Sequence, residues 1–232
     1  MTFLTTIYDV DFAELYRQHK QQTGRAPSTV TKWDHKAQQQ PVGQLADNYS
    51  HAFIGAMQLQ ATDTVLDVGC GTGAIAVLVA AAVKQVYALD YSPKMLEKVQ
   101  LNAQHYNAHN ISTLCKSWED SWAQIPVCDV VVASRSTLVM DMEQALIKLT
   151  QQAKRHVYIT YPASTRFATA QHINAQEQPH LATPSYLYIL AILHQLGLQP
   201  QLRYISNSHP QVGAYSDAQW AFIDWAVPSK AE

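Results

Sequence analysis

The spacing of apolar residues changes along the chain, and this change predicts an α/β fold with a helical start. Before residue 60, apolar residues recur every three or four positions in two stretches, 12–19 and 45–57, as in amphipathic helices. From residue 64 onward, short apolar runs typical of buried strands alternate with helical patterns. Residues 1–60 are therefore predicted to form a helical cap without a core of its own, and residues 61–232 an α/β domain.

Seven stretches have the composition of strands, and helical patterns follow most of them. The predicted helices cover 73–83, 93–106, 141–153 and 183–197. Residues 207–219 are polar and rich in Pro and Gly, so they provide no crossover helix, and the last two strands should pair antiparallel. The expected architecture is a doubly wound, mostly parallel seven-stranded sheet. Its predicted strands are Thr64–Val68, Gln85–Asp90, Ile111–Cys115, Cys128–Ala133, His156–Thr160, Gln201–Ser206 and Trp220–Val227.

The turn after the first predicted strand is the most informative stretch of the chain. It carries three glycines at alternate positions, between an apolar strand and a helix of small residues. Without Cβ atoms there, the backbone can approach a nucleotide-like ligand at the N-terminus of the helix. The glycines alone also fit the loose fingerprint of dinucleotide-binding proteins. The turn residues are Gly69, Cys70, Gly71 and Gly73.

Two carboxylates bear on the choice of ligand. Asp67 lies two residues before the first glycine, where it would repel a pyrophosphate and attract the sulfonium and ammonium of S-adenosylmethionine (SAM). Asp90 ends the second predicted strand and can accept hydrogen bonds from the ribose hydroxyls of either ligand. Its alternative role is to open the turn formed by residues 90–93. Asp67 therefore favours SAM over a dinucleotide, whereas Asp90 is compatible with both.

Both segments resemble motifs of a known family. Residues 65–73, Val-Leu-Asp-Val-Gly-Cys-Gly-Thr-Gly, resemble the first motif of class I SAM-dependent methyltransferases. Residues 87–96, Tyr-Ala-Leu-Asp-Tyr-Ser-Pro-Lys-Met-Leu, are similar to the second-strand motif of that family. The resemblance covers residues 64–160 and is closest to the branch that includes ubiquinone and menaquinone biosynthesis enzymes. It implies a Rossmann-like methyltransferase fold, SAM as cofactor and S-adenosylhomocysteine (SAH) as product.

The resemblance also implies further cofactor contacts. In this family the residue after the ribose-binding acid and an apolar residue of the next helix flank the adenine, and here these are Tyr91 and Met95. The loop after the third strand reaches the adenine amine, and either Glu119 or Asp120 could accept a hydrogen bond from that amine. Trp118 could cover the ring or belong to the core. The predicted cofactor-binding set is Asp67, Gly69, Cys70, Gly71, Gly73, Asp90, Tyr91, Met95, Ser117, Trp118, Glu119 and Ser134.

The methyl acceptor is expected beyond the carboxyl end of the fourth strand, where Ser134 would face the transferable methyl group. The (Asp/Asn/Ser)-Pro-Pro-aromatic motif of enzymes that methylate base amines or glutamine is not found there, so those acceptors are disfavoured. Arg135 could hold an acidic substrate or pair with Asp141. Positioning can supply much of the rate, so no catalytic residue is predicted. Candidates for the acceptor pocket or lid are Trp33, Tyr49, Arg135 and Tyr161. The alternative role of Trp33 and Tyr49 is to anchor the packing of amphipathic helices.

Composition limits the remaining functions. The formal charge of −2 argues against a broad nucleic-acid-binding surface. Three widely spaced cysteines and ten histidines suggest neither a disulfide framework nor a metal site. No membrane span or signal peptide is recognised, so we expect a cytoplasmic protein. The prediction is a methyltransferase acting on a small molecule. The alternatives are an RNA or protein methyltransferase, a non-catalytic SAM-binding sensor and, least favoured, a nicotinamide oxidoreductase.

Overall fold

One seven-stranded sheet forms the centre of the molecule. The structure is a computed structural model that describes residues 6–24, 28–163, 183–206 and 219–228 of the chain. The strands are β1 (Thr64–Val68), β2 (Gln85–Asp90), β3 (Ile111–Cys115), β4 (Cys128–Ala133), β5 (Ala153–Pro162), β6 (Gln201–Ser206) and β7 (Gln219–Ala226). Their order is β3-β2-β1-β4-β5-β7-β6. The pairs among β1 to β5 are parallel, and β7 is antiparallel to both β5 and β6. The predicted sheet with its antiparallel final pair is confirmed.

Seven α-helices accompany these strands in the described residues. They are α1 (Phe12–Gln22), α2 (Val30–Gln39), α3 (Asn48–Gly55), α4 (Ala74–Val79), α5 (Pro93–His105), α6 (Met142–Gln152) and α7 (Leu187–Gln195). The sequence pattern did not predict α2, because only Val30, Trp33 and Ala37 of its ten residues are apolar. Spacing rules need a continuous apolar stripe, and α2 has too short a one.

The observed ends of several elements differ from the predicted ones. Helix α4 ends at Val79, and one 3₁₀ turn replaces its expected last residues. Strand β5 begins three residues before the predicted start, because the charged Lys154 and Arg155 hide its beginning from a pattern of apolar residues. Helix α7 begins at Leu187, four residues after the predicted start. These differences lie at element ends, where patterns of apolar residues carry the least information.

The sheet separates two apolar clusters, and the N-terminal helices contribute to both. Ala13 and Tyr16 of α1 pack with residues of α6 and α7 on one face. Tyr49 and Phe53 of α3 pack with residues of α4 and α5 on the other face. The N-terminal helices thus pack into the two cores of the α/β domain and form no core of their own. No helix of the described residues is both long enough and apolar enough to cross a membrane.

The three N-terminal helices, α1, α2 and α3, reach the carboxyl edge of the sheet. The Tyr16 hydroxyl donates to the carbonyl of Val139, in the segment after β4, at 2.8 Å. Asp34 of α2 accepts a hydrogen bond from Ser92, just after β2, at 2.6 Å. Tyr49 of α3 contacts the ends of β4 and β5. The edge at which parallel sheets bind ligands is therefore lined by the N-terminal segment, and closure of that segment over a ligand stays a prediction.

Candidate cofactor and acceptor site

The glycines of the turn after β1 have different surroundings. A Cβ on Gly69, whose φ is +68°, would lie 2.4 Å from the Cβ of Ser136, so the loop after β4 packs directly on this glycine. A Cβ on Gly71, whose φ is +55°, would have no heavy atom within 4 Å. Gly73 is the residue before the first turn of α4. Because Gly71 has no side chain and no other heavy atom fills the space where a Cβ would lie, a ligand can contact the backbone there.

Asp90 connects this turn to the end of β2. Its Oδ2 accepts the Gly71 N–H at 3.0 Å, and its Oδ1 accepts the Ser92 N–H at 2.9 Å. The second bond opens the turn after β2, whereas the first one fixes the glycine turn. Burial raises the pKa of Asp90 above its ordinary value, and these backbone hydrogen bonds oppose the rise. The Tyr91 N–H also contributes a backbone hydrogen bond to Asp90. A carboxylate has about four acceptor positions, so capacity remains to accept from a ribose hydroxyl.

Asp67 lies beneath the turn and is almost completely buried, with 1% of its surface exposed. Its Oδ2 accepts the N–H of Ala76, in α4, at 3.0 Å. Burial raises the pKa of Asp67 to about 7, and the negative charge of Asp90 adds to the rise. Two neighbouring acids in little water make this a niche in which a cation is stabilised and an anion is repelled.

Cys70, in the middle of the turn, is a buried free cysteine. Burial raises the pKa of its thiol well above the ordinary value, and the charges of Asp67 and Asp90 act in the same direction. The side chain therefore stays a neutral thiol and is no nucleophile. Its predicted contribution to cofactor binding is limited to its place in the turn.

The predicted adenine neighbours lie between α5 and the loop after β3. Met95 is buried but belongs to neither apolar cluster. Tyr91 is partly buried, and its hydroxyl donates to the carbonyl of Ser28 at 2.8 Å. Burial raises the pKa of Tyr91, with smaller contributions from the charges of Asp90 and Glu119. A hydrogen bond with the Trp33 side chain lowers it. Trp33 thus lies beside the predicted adenine position.

The loop after β3 separates the roles of its two acids. The Asp120 carboxylate accepts the Ser117 N–H at 2.8 Å and so folds the loop back on itself. Glu119 is exposed and close enough to affect the titration of Tyr91. The ring of Trp118 lies 5.4 Å from that of Trp122 and packs against the core. Glu119 is therefore the acid on the side of the predicted adenine site.

Hydroxyl groups join three segments at the ends of β4 and β5. The Tyr49 hydroxyl is 2.8 Å from the Ser134 Oγ and 2.6 Å from the Thr160 Oγ1. The same Thr160 oxygen accepts the N–H of Arg135 at 3.0 Å. Tyr49 and Thr160 are buried, and Ser134 is partly exposed. The network fixes the residue that is expected to face the transferable methyl group.

Arg135 does not pair with Asp141, so that alternative is wrong. Its guanidinium lies 4.0 Å above the ring of Tyr49 and 3.9 Å from the carboxylate of Asp47. Asp141 instead lies 3.6 Å from Arg17 of α1. The actual partner, Asp47, is 88 residues before Arg135, whereas Asp141 is only six residues after it, so closeness in sequence favoured the wrong acid.

The structure does not bring Tyr161 to this network. Thr160 and Tyr161 are neighbours in a strand, so their side chains point to opposite faces of the sheet. Tyr161 is fully buried in the cluster that contains Tyr16, whereas Tyr49 lies in the other cluster. A role of Tyr161 in acceptor binding stays a prediction, and the acceptor would then have to contact it on the face of the sheet that α1 covers.

Three residues that sequence reasoning missed hold the site together. Asp34 accepts from the Ser92 hydroxyl at 2.6 Å and so fixes α2 to the end of β2. Asn102, buried in α5, donates to the carbonyl of Thr72 and accepts the N–H of Gly43, both at 2.9 Å. Thr160 completes the hydroxyl network. Of these three residues, only Asn102 had a recognisable sequence signal, a polar residue on the apolar face of a predicted helix. That signal does not identify the groups that Asn102 contacts.

The strand order, the glycine turn after β1 and the acid that ends β2 define a Rossmann-like nucleoside-binding protein. A family profile described as "Methyltransferase domain" matches residues 65–158. An uncharacterized protein of Haemophilus influenzae is 38% identical over 209 residues, 87% of this chain and 76% of that protein. The chain belongs to the class I SAM-dependent methyltransferases; it is an enzyme, and its cofactor is SAM.

Two further comparisons describe proteins with different acceptors. An uncharacterized RNA methyltransferase of Staphylococcus aureus is 31% identical over 131 residues, 55% of this chain and 29% of that protein. Magnesium protoporphyrin IX methyltransferase from Synechocystis, in a crystal structure with bound SAM, has a TM-score of 0.54 at 17% identity. That match covers 94% of this chain and 98% of the other. It shows the fold, and the acceptor of this enzyme is a separate question.

Proposed function

We propose that the enzyme transfers the methyl group to a small molecule bound beside Ser134, by in-line displacement. The observation that carries the proposal is the hydrogen-bonded network of Tyr49, Ser134 and Thr160. It joins the N-terminal segment to the ends of β4 and β5, next to the glycine turn. An acceptor position partly enclosed by a buried tyrosine fits a small molecule better than a long polymer, which needs an open groove.

The residues present fit SAM at two observed points. The space at Gly71 is open, and the Asp90 carboxylate keeps capacity to accept a further hydrogen bond. We assign the ribose to Asp90, the adenine to Tyr91, Met95 and Glu119, and the positively charged end to the niche above Asp67. The backbone of the glycine turn would contact the cofactor throughout.

Positioning is the main contribution that the protein makes to the reaction in this proposal. With SAM bound, the sulfonium supplies an activated methyl group, and the electron pair of the broken C–S bond stays on a neutral thioether. No acid is needed for this leaving group, and holding the acceptor in line supplies effective molarities of about 10⁵–10⁸ M. The fixed Ser134 side chain borders that position, and any proton of the acceptor passes to solvent.

RNA is the second candidate acceptor, because one relative is described as an RNA methyltransferase and cationic side chains lie near Ser134. Arg135 and the lysines of α2 could contact phosphates. The formal charge of −2 and the burial of Tyr49 argue against RNA as the acceptor.

Two finer predictions also remain. One is membership in the ubiquinone and menaquinone branch, and the other is a cytoplasmic location, which three free cysteines favour.

The acceptor class can be tested with SAM that carries a CD₃ methyl group. The protein is incubated separately with cell metabolites below about 1 kDa, with total RNA and with denatured protein, and mass spectrometry locates the CD₃ group. We expect transfer to a metabolite. Transfer to RNA or protein alone would overturn the proposal. Calorimetric SAM binding without transfer to any pool would also overturn it and would favour a non-catalytic sensor.

A further inference from the structure

Arg135 has the properties of a ligand-binding residue. Its φ of +56° lies in the left-handed region, which is unfavourable for a residue with a side chain and is often found at functional sites. The bond from its N–H to Thr160 holds this conformation. Its guanidinium stacks on Tyr49, and its sole ion-pair partner among the described residues, Asp47, is 3.9 Å away and half exposed. Such a pair contributes little, so the guanidinium can accept a better partner.

Lys36 is a second cation near this position. Its ammonium lies 4.7 Å above the ring of Trp33, on α2. Within the residues that the structure describes, Lys36 forms no ion pair with a carboxylate. Partial burial lowers its pKa, and the positive charge of Arg135 lowers it further, followed by that of Lys32. The charge of Arg135 thus acts on Lys36, and each of the two cations lies over an aromatic ring of the N-terminal helices, Tyr49 in α3 and Trp33 in α2.

Cations gathered beside the proposed acceptor position favour an anionic ligand. Arg135, Lys36 and Lys32, whose charge also acts on Lys36, carry three positive charges, and Asp47 offsets one of them. The planar fork of an arginine also matches a carboxylate through two parallel hydrogen bonds. The ring of Tyr49 is buried beneath the guanidinium, whereas Trp33, beneath the Lys36 ammonium, is partly exposed and can offer apolar contact to the rest of the molecule.

We propose that the methyl acceptor is a small carboxylic acid whose carboxylate binds to Arg135 and Lys36. This inference rests on the proposed function, since it names the substrate class of the same site. The hydroxyl network would then hold the rest of the acceptor near Ser134. Arg135 and Lys36 act as specificity-determining residues in this proposal, and neither takes part in breaking or forming a bond.

The first test separates acceptors by charge before the reaction. A metabolite extract below about 1 kDa is divided on a strong anion exchanger at pH 8, and each fraction is incubated with the protein and CD₃-SAM. We expect CD₃ transfer to a retained compound that contains a carboxyl group. Transfer to a compound of the unretained fraction, to a phosphate ester without a carboxyl group, or to RNA would overturn the inference while leaving the methyltransferase activity intact. Transfer to nothing would instead contradict the proposed function.

The second test uses the acceptor so identified. Arg135→Met and Lys36→Met should each raise its KM about tenfold, the size expected for one charge-assisted hydrogen bond, while the affinity for SAH changes less than about twofold. Lys154→Met removes an exposed lysine from the opposite end of β5 and should leave KM unchanged. The Lys36 side chain is accessible to solvent and its neighbours only partly shield its ammonium, so its variant remains informative if Arg135→Met fails to fold. An unchanged KM in both site variants would overturn the inference.

Discussion

The cofactor half and the acceptor half of the site are built in different ways. In the cofactor half, a carboxylate bonds to a backbone N–H nearby in the chain: Asp67 to Ala76, nine residues away, and Asp90 to Gly71, nineteen away. In the acceptor half, side chains meet across the whole domain. Tyr49 bonds to Ser134 and Thr160, which are 85 and 111 residues away.

This difference shows where each function resides. The chemical groups of the cofactor half, one glycine turn and two acids, come from a short segment of chain, and Asp34 and Gly43 brace that segment from the N-terminal region. The acceptor half depends on how α2 and α3 pack on the ends of β4 and β5. Substitutions can therefore change the acceptor without disturbing SAM binding, and each half should respond to its own variants. The following variants test that separation, beginning with the largest expected effect.

Asp67→Asn should change the pH dependence of stability. Burial raises the pKa of Asp67 from 3.8 to about 7 in the folded protein. The stability that its proton confers is therefore complete below the unfolded pKa and is lost as the pH rises through the folded one. From pH 5 to pH 8, this loss amounts to roughly 2–3 kcal/mol of unfolding free energy. The variant has no proton to lose there and keeps an oxygen for the Ala76 N–H, so urea unfolding should show a correspondingly smaller loss.

Asp129→Asn is a control for this prediction. Asp129 lies at the amino end of β4, and hydrogen bonds from Thr64 contribute to a pKa below its ordinary value, against the effect of burial. Its replacement should not reduce the loss of stability between pH 5 and pH 8. An Asp67→Asn protein with the pH profile of the parent would show that the pKa of Asp67 is not raised in the folded state, which would contradict the effect of its burial beside Asp90.

Asp90→Ala should weaken SAM binding by about tenfold or more, because charge-assisted hydrogen bonds contribute about 1.5–3 kcal/mol each. Calorimetric titration with SAM and SAH measures this directly. Asp129→Ala is the matched control, since that carboxylate also accepts two hydrogen bonds but lies at the opposite edge of the sheet. Equal affinities for the parent and Asp90→Ala would refute the ribose assignment.

The same division explains what could be predicted from sequence. The seven strands, the antiparallel final pair and the glycine turn followed from short patterns, because strand alternation and positive φ values leave local traces in residue choice. The partner of Arg135 did not, because closeness in sequence favours Asp141 until α3 is placed. Helix α2 was missed for lack of an apolar stripe, and with it the roles of Asp34 and Lys36. A site formed by side chains from distant segments leaves no local sequence pattern that could predict it.

Gly71→Ala should reduce SAM affinity by a smaller factor, about fivefold or roughly 1 kcal/mol. The added methyl group would occupy the open space in which the cofactor is expected. Gly197→Ala is the matched control, because Gly197 also has a positive φ and no heavy atom within 4 Å of a Cβ. Both variants should lose about 1–2 kcal/mol of stability from the left-handed backbone. Only Gly71→Ala should bind SAM more weakly; equal binding by both would place the cofactor elsewhere.

Tyr49→Phe should have the smallest effect on the cofactor half. Loss of the hydroxyl removes the bonds to Ser134 and Thr160, which should lower the unfolding free energy by about 0.5–1.5 kcal/mol in urea. SAH affinity should change by less than about twofold, because the ring of Tyr49 still supports Arg135 and no bond of the cofactor half is lost. A fall in SAH affinity as large as that expected for Asp90→Ala would mean that the two halves form one coupled unit. A stable variant with normal SAH binding and slower methyl transfer would place Tyr49 on the acceptor side alone.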